Sequence, residues 1–230
     1  EIQKWHQDLI EIDSLNKSTL EKNNETMLRA FSLLDGNFKY SKKENIKFIR
    51  DNMALPFTHH SRLGFVYFAQ LNNLLRKDVI TEAQKNSLLL SVKSISTKMK
   101  SDAYQVKLGK KSLSSFLDIY GHIRAGNYNL SSSNLKNNLE FTELLVHNSE
   151  PQDENISLQK VIFSNIDKYF ELNNIPYTAS AWVEMFQTAI ATRENSKFYY
   201  TKGIDGILNE IEEQNICLLY TSDAADDNTC

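Results

Sequence analysis

The sequence predicts an all-α chain, an irregular multi-helix array interrupted by one long loop. Apolar residues recur at three- and four-residue spacing through most of the 230 residues, while period-two alternation is almost absent. Seven Gly and three Pro leave few places where a helix must stop. Turn-forming residues gather in a single stretch, from Gly121 to about Gln152, with Gly126, Ser131-Ser132-Ser133 and several Asn.

Taken in order, a first helix runs from Glu1 into the twenties, with Trp5, Leu9 and Ile12 on one face. A second carries Met27, Phe31 and Leu34, and Asp35-Gly36 ends it. Ser41 and Glu44 have the spacing of a capping box. The helix they open carries Ile46 and Ile49. Pro56 precedes the most apolar segment, residues 57–76. There Leu63, Tyr67, Leu71 and Leu74 form one stripe, and Phe65, Phe68 and Leu75 another. Two apolar faces predict a central helix buried on most sides. Thr81 and Gln84 cap a helix striped by Leu88, Val92, Ile95 and Met99, and Gly109 stops it. Ser112 caps a short helix through Tyr120. Leu139 to His147 fits either a short strand or a helical turn. Helices resume at Ser157, with Leu158, Ile162, Ile166 and Phe170. Pro176 punctuates, and Thr178 caps a helix with Trp182, Met185, Phe186, Ala189 and Ile190. Gly203 is expected to start a last helix, Ile204 to Glu213. The expected organisation is a helical part over 1–120, a long loop over about 121–155, and a second helical part over 156–216.

The tail Cys217-Leu218-Leu219-Tyr220-Thr221-Ser222-Asp223-Ala224-Ala225-Asp226 matches one reading frame of a transposon-library sequencing adapter, so residues 217–230 are read as a translated artefact. The chain opens on Glu1 without an initiator Met and is expected to be an internal piece of a longer protein. Both cysteines lie in the tail, so the stretch to Ile216 offers no disulfide, zinc-thiolate or cysteine nucleophile. Without Asp223, Asp226 and Asp227 the 29 acidic residues become 26, equal to the 26 basic ones. A neutral chain without a basic stripe is not expected to bind nucleic acid. No apolar run reaches the roughly 18 residues of a membrane span. A cytoplasmic location is expected.

Phosphate-loop, dinucleotide, zinc-protease and nucleophile-elbow motifs are absent from the sequence. Three polar clusters stand out, and no metal site is expected among them. His59-His60-Ser61-Arg62 lies on the central helix, with His60 on the stripe of Leu63 and Tyr67. Adjacent histidines point about 100° apart on a helix and do not chelate one metal together. A hydrogen-bonded core histidine is the ordinary reading of His60. Gly64 fits close helix packing better than a ligand. The second cluster, Tyr120-Gly121-His122-Ile123-Arg124-Ala125-Gly126-Asn127-Tyr128, joins a proton carrier to an anion-binding guanidinium. A loop pinned by Arg and Tyr is its bland alternative. The third, Arg193-Glu194-Asn195-Ser196-Lys197-Phe198, puts two cations one turn apart on a buried stripe. There they need an internal carboxylate or an anionic ligand.

These clusters also carry a family resemblance. Trp5-x-x-Asp8-Leu9, Leu55-Pro56-Phe57 with Ser61-Arg62-x-Gly64-Phe65, Phe116-Leu117-x-x-Tyr120-Gly121-His122-Ile123-Arg124-Ala125-Gly126-Asn127-Tyr128-Asn129, and Arg193-Glu194-x-x-Lys197-Phe198-Tyr199-Tyr200-Thr201-Lys202 occur in that order. Together they resemble the helical middle region of phosphoenolpyruvate-synthase-like proteins of the pyruvate phosphate dikinase superfamily. Ala125, Asn127 and Asn129 stand where that pattern has Pro, Thr and Asp. Asn129 therefore lacks the carboxylate that an acid–base or metal role would need.

The resemblance implies an ATP-dependent, dikinase-like phosphotransferase. An N-terminal ATP-grasp domain would use ATP and Mg, and a C-terminal domain would carry a phosphohistidine. This region would dock the latter and bind a small-molecule acceptor, pyruvate by the family name. No cofactor is implied for this stretch itself, which alone would be inactive. On this expectation His122 is the candidate proton carrier. Arg124, Tyr128, Arg193 and Lys197 are candidate substrate ligands, with His60 and Arg62 behind them. The competing expectation is a ligand-free helical scaffold. It predicts Arg124 and Arg193 far apart, each with a carboxylate partner.

Overall fold

The computed structural model describes Glu25, Arg29 and residues 42–124, 132–151 and 158–213. Outside them lie the two helices expected before residue 41 (save Glu25 and Arg29, both helical), Ser41, the 125–131 stretch with Tyr128, and the tail. Among the described residues every element is helical. The one β feature there is an isolated antiparallel bridge between Arg124 and Asn134.

Helix α1 (Lys42–Ile49) passes through a π-helical segment, Arg50–Ala54, into α2 (Leu55–Arg76). The widened turn has a local cause. Pro56, at the start of α2, has no N–H to give to the carbonyl four residues back, and the preceding Leu55 N–H bonds to Arg50 O instead. α2 ends in a left-handed Asp78 (φ 54°), with Val79 N–H bonded back to Leu74 O at 3.0 Å.

The helix expected from Thr81 to Gly109 is two helices, α3 (Glu82–Leu90) and α4 (Ile95–Lys107). The break is a second capping box. Ser94 and Thr97 satisfy each other's backbone N–H groups, as Thr81 and Gln84 do at α3. Gly109 (φ 70°) ends α4, with Lys110 N–H on Gln105 O at 2.9 Å. α5 (Leu113–Tyr120) is capped by Ser112. The expected long loop is not continuous, because Leu139–His147 forms helix α6, capped by Asn138. α7 (Lys160–Leu172) closes on left-handed Asn174 (φ 53°).

The final element also differs from the expectation. α8 (Ala179–Glu213) runs unbroken for 35 residues through Gly203. That glycine is buried, and a Cβ there would stand 3.0 Å from Met53 Sδ and 3.4 Å from Ile49 Cδ1. It serves close helix contact, so a helix start is not needed to explain it. Gly64 has the same role on α2, where a Cβ would meet Arg193 Cδ at 2.7 Å.

Three clusters make the core. Leu63, Tyr67, Leu71 and Leu74 of α2 pack with Leu88 of α3, Ile162, Ile166 and Phe170 of α7, and Trp182 to Ala189 of α8. Ile49 and Met53 meet Ile207. Ala103, Phe116, Tyr120 and Leu135 meet Phe198. The helices on either side of the long loop thus share cores, whatever their separation in the chain. α2 is buried on one face only, contrary to the two-face expectation. Phe65 is 62% exposed and Phe68 41%. Of the second stripe, Leu75 packs against the first cluster, whereas Phe65 and Phe68 add little to the core. Phe65 instead lies under the Arg193 guanidinium, 5.0 Å from its ring centre.

Phe186 is fully buried in the first cluster. Phe186→Ala should lower stability by about 3–5 kcal/mol, whereas Phe65→Ala should move it by about 0.5 kcal/mol or less. Urea unfolding of the two variants checks this, and equal losses would place Phe65 in the core.

Candidate functional site

α4 begins against α8, and that contact is polar. Ile95 N–H donates to Asn195 Oδ1 at 2.9 Å, and Ser96 Oγ–H donates to Glu194 Oε2 at 3.0 Å. The first satisfies a free N–H of the helix start with a side chain from the neighbouring helix, and the second ties the two helices side chain to side chain. Farther along α8, Asp205 holds the base of the loop. Arg124 Nη2 donates to its Oδ1 at 2.7 Å, and Asn134 Nδ2 donates to the same oxygen at 3.1 Å. Arg124 Nη1 also donates to Ser132 O at 2.6 Å. Leu135 N–H to Ile123 O, and Lys136 N–H to Gly121 O, finish a short two-stranded pairing at the loop's base.

Between these two attachments lies a partly open cavity of about 410 Å³. Ile95, Met99 and Lys100 of α4 form one wall, and Lys197, Phe198 and Ile204 of α8 the other. His122, Ile123 and Arg124 close one end. Three of the residues singled out by sequence, His122, Arg124 and Lys197, are thereby brought together. The others are not. His60 is buried at the α2–α8 seam, Arg193 lies there with its stem against Gly64, and Arg62 is exposed on α2. Tyr128 lies outside the described residues.

The hydrogen bonds fix what each group can do. His122 Nε2–H donates to Phe198 O at 3.2 Å, and its ring sits edge-on to Phe198 with centroids 4.6 Å apart. Burial pushes its imidazole down to about 4, against smaller upward pulls from Asp205 and the Phe198 and Ile119 carbonyls. His122 is therefore a neutral ring that carries the loop on α8. Ser196 Oγ–H donates to Thr192 O at 2.5 Å, so it accepts from His60 Nδ1–H at 2.5 Å. This leaves His60 Nε2 unprotonated. Burial, with a lesser push from His59, takes that ring down to about 4 as well. His60 Nε2, Ser61 Oγ and Arg193 Nε are buried without a hydrogen-bond partner. Arg193 Nη1 donates to Glu194 at 2.7 Å. Tyr120 donates to Asp102 Oδ2 at 2.8 Å, and burial raises its phenol above the ordinary value.

Asp205, Asn134, Lys100 and Met99 were not singled out by sequence. A signal for Asp205 was available: Arg193, Lys197, Thr201 and Asp205 fall four residues apart, a single row on a helix. Reading Gly203 as a helix start cut that row in two.

No family model, curated protein or solved structure matches the chain. Among the described residues no helix is long and apolar enough to cross a membrane.

Two outcomes follow from this geometry. A histidine titrates near 6.5 when free, and these two rings are held to about 4. Between those values the unfolded chain binds the protons that the folded chain refuses. Stability is therefore whole above about pH 6.5 and falls toward pH 4, by about 3 kcal/mol per ring. His122→Gln should remove roughly half of this histidine-dependent loss, read as urea midpoints at pH 7 and 4.5. An unchanged slope would place His122 in water. The Arg124–Asp205 pair is buried, with side chains 13% and 10% exposed. Asp205→Ala should therefore cost about 3–5 kcal/mol by stranding the guanidinium. The double change Arg124→Met with Asp205→Leu should recover most of that in the same unfolding assay.

Proposed function

We propose that this chain is the acceptor-side helical region of a phosphotransferase resembling phosphoenolpyruvate synthase, in which the cavity between α4 and α8 receives the acceptor. The observation that carries the reading is the convergence of His122, Arg124 and Lys197, from two of the resembling segments, on that one cavity. Phosphoryl transfer depends chiefly on positioning and charge, which a rigid helical wall with fixed cations supplies. On this reading Lys197 and Lys100 hold the acceptor's anionic group. The Arg124–Asp205 pair shapes the end of the cavity, and His122 positions the loop rather than moving a proton. The phosphohistidine domain would present its phosphoryl group at the cavity mouth, in a cytoplasmic enzyme.

ATP and Mg belong, on the same reading, to the flanking ATP-grasp domain. The cavity's own side chains do not fit Mg. Its carboxylates, Glu194 and Asp205, are both engaged by guanidinium groups, and no set of three or more metal-ligating side chains stands together among the described residues.

A second reading, a ligand-free scaffold, is favoured by a specific observation. Arg124 is bonded to Asp205 and Arg193 to Glu194. Those two anchor points lie about 18 Å apart along α8 at 1.5 Å per residue. Lys197 separates the readings. In an enzyme that carries this region with its flanking domains, Lys197→Met should lower turnover by about tenfold or more, through loss of a charge-assisted hydrogen bond. Its unfolding free energy should change by about 1 kcal/mol or less. Unchanged turnover would leave the scaffold.

A further inference from the structure

We infer that the molecule taken by the α4–α8 cavity is an acid with an apolar body considerably larger than pyruvate, carrying one carboxylate or phosphate group. This rests on the acceptor-site reading above and deepens it. Size is the first ground. A cavity of about 150 Å³ accommodates benzene, with six carbon atoms. Pyruvate also has six non-hydrogen atoms, so it would fill only about a third of the 410 Å³ here.

The second ground is where the polar groups of the walls point. Ser96 gives its hydroxyl proton to Glu194, Tyr120 gives its proton to Asp102, and Thr201 bonds the Lys197 and Phe198 carbonyls. His122 Nε2–H is on Phe198 O, and Arg124 is on Ser132 O and Asp205. A hydroxyl has one proton to give, and those of Ser96, Tyr120 and Thr201 are given to protein. A polyol or a sugar would meet few donors. The rest of the lining is apolar surface from Ile95, Met99, Ile123, Phe198 and Ile204, the Tyr200 ring, and Lys100 and Lys197. Each ammonium has three N–H donors, more than one protein acceptor consumes.

Charge is the third ground. The lining carries Lys100, Arg124 and Lys197 against Glu194 and Asp205, and Glu194 is also shared with Arg193. The balance favours one negative group at the lysine end. A carboxylic acid and a phosphate monoester share that chemistry.

The test is calorimetric titration of the full chain with pyruvate, butanoate, hexanoate, octanoate, octan-1-ol and octyl phosphate. Kd should fall by about fourfold for each methylene buried, with pyruvate among the weakest. Octanol should bind at least tenfold more weakly than octanoate. Lys100→Met, a change at an exposed position, should shrink the octanoate–octanol difference. Met99→Trp, which fills the cavity, should flatten the chain-length series. The tighter of octanoate and octyl phosphate identifies the head group. Pyruvate binding as tightly as octanoate would overturn the apolar body and leave the acceptor-site reading standing. Octanol equal to octanoate would overturn the anionic head. No binding by any of the series would overturn the inference, and turnover loss in Lys197→Met would then still decide the acceptor reading separately.

Discussion

Helix α8 contributes to all three hydrophobic clusters. Trp182, Val183, Phe186 and Ala189 enter the first, Phe198 the third and Ile207 the second. No other described helix does so, and the rest of the described structure is arranged along it. A 35-residue helix is about 52 Å long at 1.5 Å per residue, and within a protein most helical stability comes from tertiary packing rather than propensity. Its stability comes from successive partners along its length. α7 and α2 cover its first half, α4 and α5 its middle, and α1 with the π segment its last buried turns. Two glycines permit the closest approaches. Gly64 lets the Arg193 stem lie on α2, and Gly203 lets Ile49 and Met53 lie on α8.

Apolar packing sets which faces meet, but it does not position α4 or the loop along α8. Polar groups of α8 do that. Asn195 and Glu194 hold the first turn of α4, and Asp205 holds Arg124 and Asn134. The two attachments lie about ten residues apart on the helix, and the cavity is the space left between them. Its position is thus a consequence of fastening, and its shape depends on polar bonds, most of them partly or fully buried and costly to break singly.

The same fastening reassigns several polar residues. The Arg193–Phe198 segment reads as a charged cluster that needs an internal carboxylate or an anionic ligand. In the fold Arg193 and Glu194 bond one another, Asn195 caps α4, and Ser196 holds His60. His122 is held against the Phe198 ring and carbonyl, where burial keeps it neutral. A neutral buried imidazole suits a structural role better than proton transfer near pH 7. Glu194, Lys197 and Phe198 are the members of the cluster that line the cavity, and Lys197 is the cation among them.

By itself the sequence determined the helical class and most helix ends, because caps are local. Thr81 with Gln84, Ser112, Thr178 and Gly109 act through bonds spanning a few residues, and such signals survive without tertiary context. It also placed His122, Arg124 and Lys197 among the residues of interest, through their types and spacing. Tertiary structure decided the remainder. Whether Phe65 faces core or water, whether Gly203 starts a helix or receives Met53, and whether Arg124 meets a ligand or Asp205 depend on partners up to 150 residues away in the chain. A one-dimensional pattern records that a side chain is apolar, small or charged. It does not record what stands opposite, and burial, close approach and charge pairing are properties of the pair.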